Sequence, residues 1–515
     1  MSKGPRLATP TRGMRRSGAT GTAKIRRETS SAVRVAPAGD RLALTIAESL
    51  ADEILDSGWP VGQRLGNEAQ LMKRFGASRE SLREGVRVLE FQGLVRVERG
   101  ARGGLIIEAP ASQATAGQLR TYLSLNDISA DEIFSAQTMI HQFIGPLAAR
   151  NATEAHILEL RDELAGAAVA LREDPCSIAP YVKINQAMHR SSGHPVAGVF
   201  SDALIVSQYG FMDPKIAASD EDMLAGHKRN LHFLGQMVEA FAEHDSEALM
   251  DIQRRMVDQT RRRLDRIQQR YPKAVSYRSL LSGKYVPAMG DVNGPQKAAI
   301  KLAYSIAAKI RREQMPVGAF IGSQKSLMAE GELSVAVFRE ATCLLEYFGV
   351  VEVRQGPQGG LFVSPPNPRH TIAAGARYLR YLQIEPAQSA EFRRHVMRSV
   401  VRQVAAAISL DDVMQVRSTV EACGIPTSVE QLRIQAKSIA RCILARSTNR
   451  AVRLIAEIML ELQTPSAGRY KEASVRRIAS ERAKYLKAYS EAYLRSDAAD
   501  LERNLLALLD LESFS

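Results

Sequence analysis

The spacing of apolar side chains between residues 41 and 110 changes several times, and each change marks an element. Leu42, Leu44, Ile46, Leu50 and Ile54 form one stripe at helical spacing and predict a helix from Arg41 to about Asp56. Gly58 and Gly62 stop it. Leu71, Met72 and Phe75 predict a second helix opened by Asn67, whose side chain can accept from the first free amides. After a turn at Gly76-Ala77-Ser78, Ser78 is placed to cap a third helix, Arg79 to Gln92, ending at Gly93. Val95, Val97, Leu105 and Ile107 then flank the Gly100–Gly104 turn and predict a two-stranded hairpin. Three helices followed by a hairpin predict a winged helix-turn-helix over residues 41–110.

The same pattern returns later in the chain. Pro60 pairs with Pro316 at an offset of 256 (316 − 60), and the register holds without a gap to Pro110 and Pro366. Leu71/Leu327, Ser78/Ser334, Arg83/Arg339, Glu84/Glu340, Gly93/Gly349 and Gly103/Gly359 all match. A repeat of this quality predicts a second winged helix-turn-helix over 296–366. Residues 115–271 are almost continuous amphipathic helix, with breaks near Asn126, Asn151, Asp174, Gly193, Asp213 and His244, and predict a bundle of about six helices. A second bundle is expected over 371–515. Asp245 and Asp497 correspond through VEAFAEHD and SEAYLRSD, which carries the repeat into the bundles. Residues 272–295, with Pro, Gly and Ser, read as a linker. The expected fold class is mainly α: two winged helix-turn-helix domains, each followed by an all-helical bundle.

Composition narrows the partners. A chain of 515 residues is too long for one core, and its formal net charge of +13 favours an anionic partner, nucleic acid or membrane surface. Residues 1–40 are rich in Arg, Lys, Ser, Thr, Gly and Pro and are expected to be a disordered basic tail. That tail is either simply solvated or an arm on DNA phosphates. No apolar run reaches the ~18–20 residues needed to span a bilayer. Nor does the N-terminus carry the apolar stretch of a signal peptide. Cys176, Cys343, Cys423 and Cys442 share no ligand-like spacing and read as reduced thiols. A cytoplasmic protein with no membrane partner is the expectation.

Arg79, Arg83 and Arg87 recur every four residues and share one face of the third helix, while Leu82, Val86 and Leu89 point elsewhere. Such a face can enter the major groove, where arginine donates two bonds to guanine O6 and N7. Arg99 and Arg102 at the hairpin tip can reach a phosphate or the minor groove. Interleaved with Glu80, Glu84 and Glu90, the triplet alone is an ordinary solvated face. The helix-turn-helix and wing around it turn the reading towards DNA.

The stretches PVGQRLGNEAQLMKRFGASRESLREGVRVLEFQGLV and RGARGGLII resemble the DNA-binding domain of the GntR family of bacterial transcription regulators. The signature Ser78-Arg79 to Arg83-Glu84 sits behind a Pro60–Glu68 lead. The resemblance implies that Ser78, Arg79 and Arg83 lie at a double-stranded DNA operator and that the wing glycines, Gly103 included, approach its backbone. By the repeat, Ser334, Arg339 and Gly359 take the corresponding places. Residues 115–271 are similar, more loosely, to the FCD effector domain of the FadR-like branch through NATEAHILELRDEL, SSGHPVAGVF and MVEAFAEHDSEALMDIQRRM. That branch commonly holds a metal with one Asp and three His. The corresponding positions are Tyr181, Asn185, Leu234 and Met256, then Ala436, Ala440, Leu486 and Leu508, with His189 and His232 as an alternative register. Leu and Met do not suit a hard or borderline divalent ion, so neither metal nor cofactor is expected. The Arg and Glu of the branch's first bundle helix map to Gln137 and His141. In the second bundle Arg394 and Arg398 either hold a small organic acid or acyl effector or face solvent.

The two copies are unequal. Arg79 becomes Val335, Arg87 becomes Cys343, Glu68 becomes Gln324, and the second wing keeps only Arg354 at its base. Losing one bidentate guanine contact costs about 1–3 kcal/mol of discrimination, which makes the first head the dominant reader. The expectation is a sequence-specific transcription regulator, repressor rather than activator, acting as a monomeric covalent pseudo-dimer or as a homodimer. Two other readings stay open: a non-specific DNA-organising protein, and bundles that are scaffolds without an effector. With no nucleophile–base pair, phosphate-cradling loop or metal cluster, an enzyme is not expected.

Overall fold

The computed structural model describes residues 41–100, 103–174, 177, 179–209, 220–271, 295–331, 334–356, 359–424, 426, 428–462 and 472–510. The basic tail 1–40, wing residue Arg102, Cys176, the break near Asp213 and nearly all of the 272–295 segment lie outside the described residues.

The first head is built from α1 (Leu42–Asp56), β1 (Arg64–Gly66), α2 (Glu68–Phe75), α3 (Arg79–Phe91), β2 (Val95–Glu98) and β3 (Gly104–Ile107). Asn67 accepts from the Gln70 amide while the Gln70 side chain accepts from the Asn67 amide, so two free donors at the start of α2 are satisfied. Gly76, in the left-handed region at φ 57°, ends α2 and lets the chain turn into α3. Ile46, Leu50, Ile54, Leu71, Leu82 and Leu89 fill the core between the three helices. Gly85 lets α1 and α3 approach closely, because a Cβ there would stand 2.7 Å from the Ala43 carbonyl oxygen. The sheet has one strand more than the apolar pattern predicts. β1 pairs antiparallel with β3, giving the order β1-β3-β2. Three residues ending in glycine are too few to show an alternation.

Helices α4 (Ser112–Leu125), α5 (Ala130–Arg150), α6 (Glu154–Glu173), α7 (Ala179–Ser192), α8 (Pro195–Tyr209), α9 (Glu221–Ala242) and α10 (Ser246–Arg270) follow. Capping boxes at Ser129/Glu132 and Thr153/His156 fix the starts of α5 and α6.

The same order of elements then recurs. The second head holds α11 (Pro295–Arg312), β4 (Phe320–Gly322), α12 (Gln324–Gly331), α13 (Val335–Tyr347), β5 (Val351–Arg354) and β6 (Gly360–Val363), with sheet order β4-β6-β5. Helices α14 (Arg369–Tyr381), α15 (Pro386–Ala407), α16 (Leu410–Cys423), α17 (Val429–Leu444), α18 (Arg450–Glu461), α19 (Glu472–Leu494) and α20 (Ala498–Asp510) complete it.

The two series pack on each other at every level. α3 meets α13, α4 meets α14, and α5 meets both α15 and α18, while α8 meets α15. Phe91 stands edge-on to Phe348 at 5.7 Å, and Phe143 meets Phe392 at 5.1 Å, so the apolar core continues from one series into the other. Among the described residues no helix is long and apolar enough to cross a membrane.

Candidate nucleic-acid interface

Ser78 Oγ accepts the Ser81 amide at 3.1 Å and caps α3, which fixes where the helix begins and leaves Arg79 at its first position. The side chains of Arg79 and Arg83 are 61% and 62% exposed, more than enough to meet a ligand. Both lean on Glu68 of α2, whose Oε1 lies 2.5 Å from Arg79 Nε and 3.6 Å from Arg83 Nε. The bond from Arg79, followed by the two guanidinium charges, holds the Glu68 carboxyl below its ordinary value. Glu68 thus orients the two cations and also neutralises part of their field.

Arg87 is engaged differently from those two. Its Nη1 lies 2.7 Å from Glu90, and it stands close enough to Glu340 on α13 to oppose the upward push that burial gives that carboxyl. The arginine triplet therefore divides: Arg79 and Arg83 share Glu68, and Arg87 lies at the junction with α13.

In the wing, Arg99 is exposed beside the tip, and Arg102 lies outside the described residues. At Gly103 an added Cβ would clash with the Glu98 carbonyl oxygen, so the tight turn demands glycine. Arg64 Nη1 donates to the Gly103 carbonyl at 3.2 Å, which puts a further cation at the base of the wing. Sequence reasoning missed Arg64. The available signal was its position inside the Pro60–Glu68 lead, against Phe320 in the repeat.

The second head keeps the backbone devices and loses the charges. Ser334 Oγ caps α13 through the Val337 amide at 3.3 Å, and a Cβ on Gly359 would stand 2.5 Å from the Arg354 carbonyl oxygen. Val335, at the place of Arg79, is 46% exposed. Arg339 is exposed and sits near Glu80 and Glu84 of α3. Arg354 lies over the Phe362 ring at 4.2 Å and bonds Glu352 at 3.1 Å.

The heads meet along α3 and α13. Arg41 reaches Glu84 at 2.7 Å and Glu346 at 2.9 Å, one from each series. Gln92 Nε2 donates to the Tyr347 hydroxyl at 3.1 Å. Burial pushes the Glu84 and Glu346 carboxyls up, and Arg41 opposes it.

The bundles place their expected residues unevenly. Arg394 and Arg398 are exposed on α15, so burial lends no support to an effector clamp there. Tyr181, Asn185 and Leu234 are buried, with Asn185 donating to the Tyr181 carbonyl at 2.8 Å. His189 is buried and His232 exposed, so the alternative register does not converge. Ala436, Ala440, Leu486 and Leu508 are core. Among the described residues no group of three or more His, Cys, Asp or Glu gathers to hold a metal.

A different polar cluster lies inside the first bundle. Gln137 Nε2 contacts His141 Nε2 at 2.7 Å and Ser201 Oγ at 3.2 Å, all in buried surroundings. Both ring nitrogens of buried His189 lack a hydrogen-bond partner, and Asp202 Oδ1 stands at 3.7 Å. His141 and Gln253 also line a cleft of about 320 Å³ between α5 and α10.

Residues 42–103 match the model of the family described as bacterial regulatory proteins, gntR family. The chain is 29% identical over 119 residues to the Uxu operon regulator of Haemophilus influenzae, a match covering 23% of this chain and 42% of that protein. It is 31% identical over 124 residues to an uncharacterized HTH-type transcriptional regulator of Mycobacterium tuberculosis, covering 24% and 50%. In both cases the chain spans half or less of the relative's length. Among solved structures it is similar to a Streptococcus agalactiae GntR at 19% identity and a TM-score of 0.30, covering 43% of this chain and 99% of that one. The match to the gntR family thus lies within the first head and the wing that follows its third helix.

Proposed function

We propose that this chain, whose residues 42–103 carry the gntR-family segment, is a sequence-specific transcription regulator built as a covalent pseudo-dimer. Each unit is a winged helix-turn-helix head followed by an FCD-like bundle, and the first head reads most of a double-stranded DNA operator. One observation carries the reading. Arg79 and Arg83 are exposed at the start of a Ser-capped helix beside a glycine wing, while the matching position of the second head presents Val335. Guanidinium groups so placed can donate two bonds each to guanine edges, and valine cannot. Repression, by occupying a promoter, is the expected mode in the cytoplasm. In vitro selection of bound duplex, then titration at fixed salt, tests it. Arg83→Ala should weaken operator binding more than Arg339→Ala, and the reverse ranking would remove the dominance of the first head.

A sensing role for the first bundle is a second reading, favoured by the partnerless ring nitrogens of His189 beside Gln137 and His141. Buried polar atoms ordinarily have partners, and a small hydrogen-bonding organic acid or acyl compound would supply them. The positions matching Gln137, His141 and His189 in the second bundle are Arg393, Met397 and Leu444 (by offsets of 256, 256 and 255), so sensing would be confined to one copy. Thermal-shift screening against organic acids and acyl thioesters separates this sensor from a bare scaffold.

A further inference from the structure

The contacts that the first series makes to the second are not the ones that the second makes to the first. We infer that the two units carry complementary faces that fit each other and do not fit themselves, so that pairing is obligately between unlike units. This rests on reading the chain as a pseudo-dimer, and it concerns which unit pairs with which.

The clearest case lies between the bundles. Asn449 Nδ2 donates to the Glu132 carbonyl at 3.0 Å, and His194 Nε2 lies 3.1 Å from the Gln388 carbonyl. These are the same contact twice, since 132 and 388 match at 256 and 194 and 449 match at 255. Beyond it the two sides diverge. On one, Arg450 holds the Glu132 carboxylate at 2.9 and 2.8 Å and donates to the Asn126 and Asp127 carbonyls at 3.1 and 2.7 Å. On the other, Pro195 stands where Arg450 would be and Gln388 where Glu132 would be.

Contacts that involve the heads repeat the pattern. Arg377 on α14 binds Glu48 and, at 3.2 Å, Asp52 of α1, and its side chain is only 4% exposed. At the related site Thr121 and buried Tyr304 take these places, and the nearby cation is buried Arg120, one position before Thr121. At the junction of α3 and α13, Gln92 bonds Tyr347 on one side, and Phe91 meets Phe348 on the other.

Pairing two first units would set Glu132 against Pro195, leaving that carboxylate in a partly buried place without its cation, and would set Glu48 against Thr121 and Arg120 in place of Arg377. Pairing two second units would set Arg450 against Gln388 and deeply buried Arg377 against Tyr304. A buried charge without its counter-ion is strongly disfavoured, while the unlike pair gives Glu132, Arg450, Glu48 and Arg377 each an opposite charge.

The test uses the full chain with a protease site placed within residues 272–294, cleaved after folding and weighed by native mass spectrometry over a dilution series. The expected particle contains equal numbers of the two pieces and persists on dilution. Separate pieces at micromolar concentration, or particles of two like pieces, would overturn the inference. Arg450→Glu in the cleaved protein should weaken association about tenfold or more, and adding Glu132→Arg should restore most of it. A single substitution without effect would equally overturn it. The readout is mass and needs no DNA, so failure to bind an operator would sink the regulatory reading and leave this one standing.

Discussion

Arg450 of α18 closes a two-point ion pair on Glu132 of α5, although 318 positions separate them in the chain. Glu132 is also the capping-box residue of its own helix, accepting from the Ser129 amide at 2.9 Å. One carboxylate therefore caps the start of a helix and ties the two bundles together. Burial pushes it up, but the Arg450 guanidinium and the Ser129 and Arg450 amides outweigh that and hold it at about 2.

Replacing Arg450 by Ala should destabilise the chain by about 2 kcal/mol, since the carboxylate loses its cation in a half-sheltered place. The pH dependence follows from the sign. A carboxyl depressed from 4.5 to about 2 adds stability that is complete above about pH 4.5 and vanishes as the pH falls to about 2. Denaturant melts of the wild type and Arg450→Ala should converge across that window. A constant gap would contradict the ion-pair account.

Glu68→Ala removes the shared partner of Arg79 and Arg83. Affinity for random duplex at low salt should rise by about three- to tenfold, with a steeper salt dependence, because the two cations gain net charge. Discrimination should fall at the same time, since Arg79 loses the acceptor that orients it. Filter binding of operator and random duplex over a salt series measures both. Unchanged random binding would mean that Glu68 exerts no restraint on the pair.

Much of the head was legible because its signals are local. Ser78, Asn67 and Gly76 announce caps and a turn within a few residues of where they act. The helical stripe of α1 needs only a window of fifteen residues. Strand β1 was not legible, because its pairing with β3 is set by residues some forty positions away. The division of the arginine triplet was hidden for the same reason. Spacing places Arg79, Arg83 and Arg87 on one face, but Glu68 and α13 decide which of them stands where. No local signal sets Arg450 apart, and only the packing of α18 on α5 gives it a role.

Gly85 should be intolerant of any side chain. Its Cβ would meet the Ala43 carbonyl at 2.7 Å and Ile46 at 3.3 Å, and backbone cannot move aside as a flexible side chain can. Gly85→Val should destabilise by about 1–3 kcal/mol by overpacking α1 against α3, and more if the helices separate. Because α3 carries Arg79 and Arg83, operator affinity should fall with stability. A variant as stable as wild type would show that the crossing has slack.

His141 gives the chain a second acid-sensitive window, which opens about two pH units above that of Glu132. The ring is 5% exposed inside the first bundle. Burial pushes its pKa down from 6.5 to about 3, the neighbouring His189 pushes the same way, and the nearby Asn185 opposes them. A base whose pKa is depressed on folding stays neutral in the native state, while the unfolded chain takes up a proton below 6.5. Stability is therefore full above about pH 6.5 and declines as the pH falls towards 3, at a slope approaching about 1.4 kcal/mol per pH unit. His141→Gln keeps a polar group beside Gln137 but cannot titrate, so its denaturant midpoints should be flatter between pH 6.5 and 4.5, before Glu132 begins to protonate. Equal slopes for the two proteins would show that His141 is not held neutral by its burial.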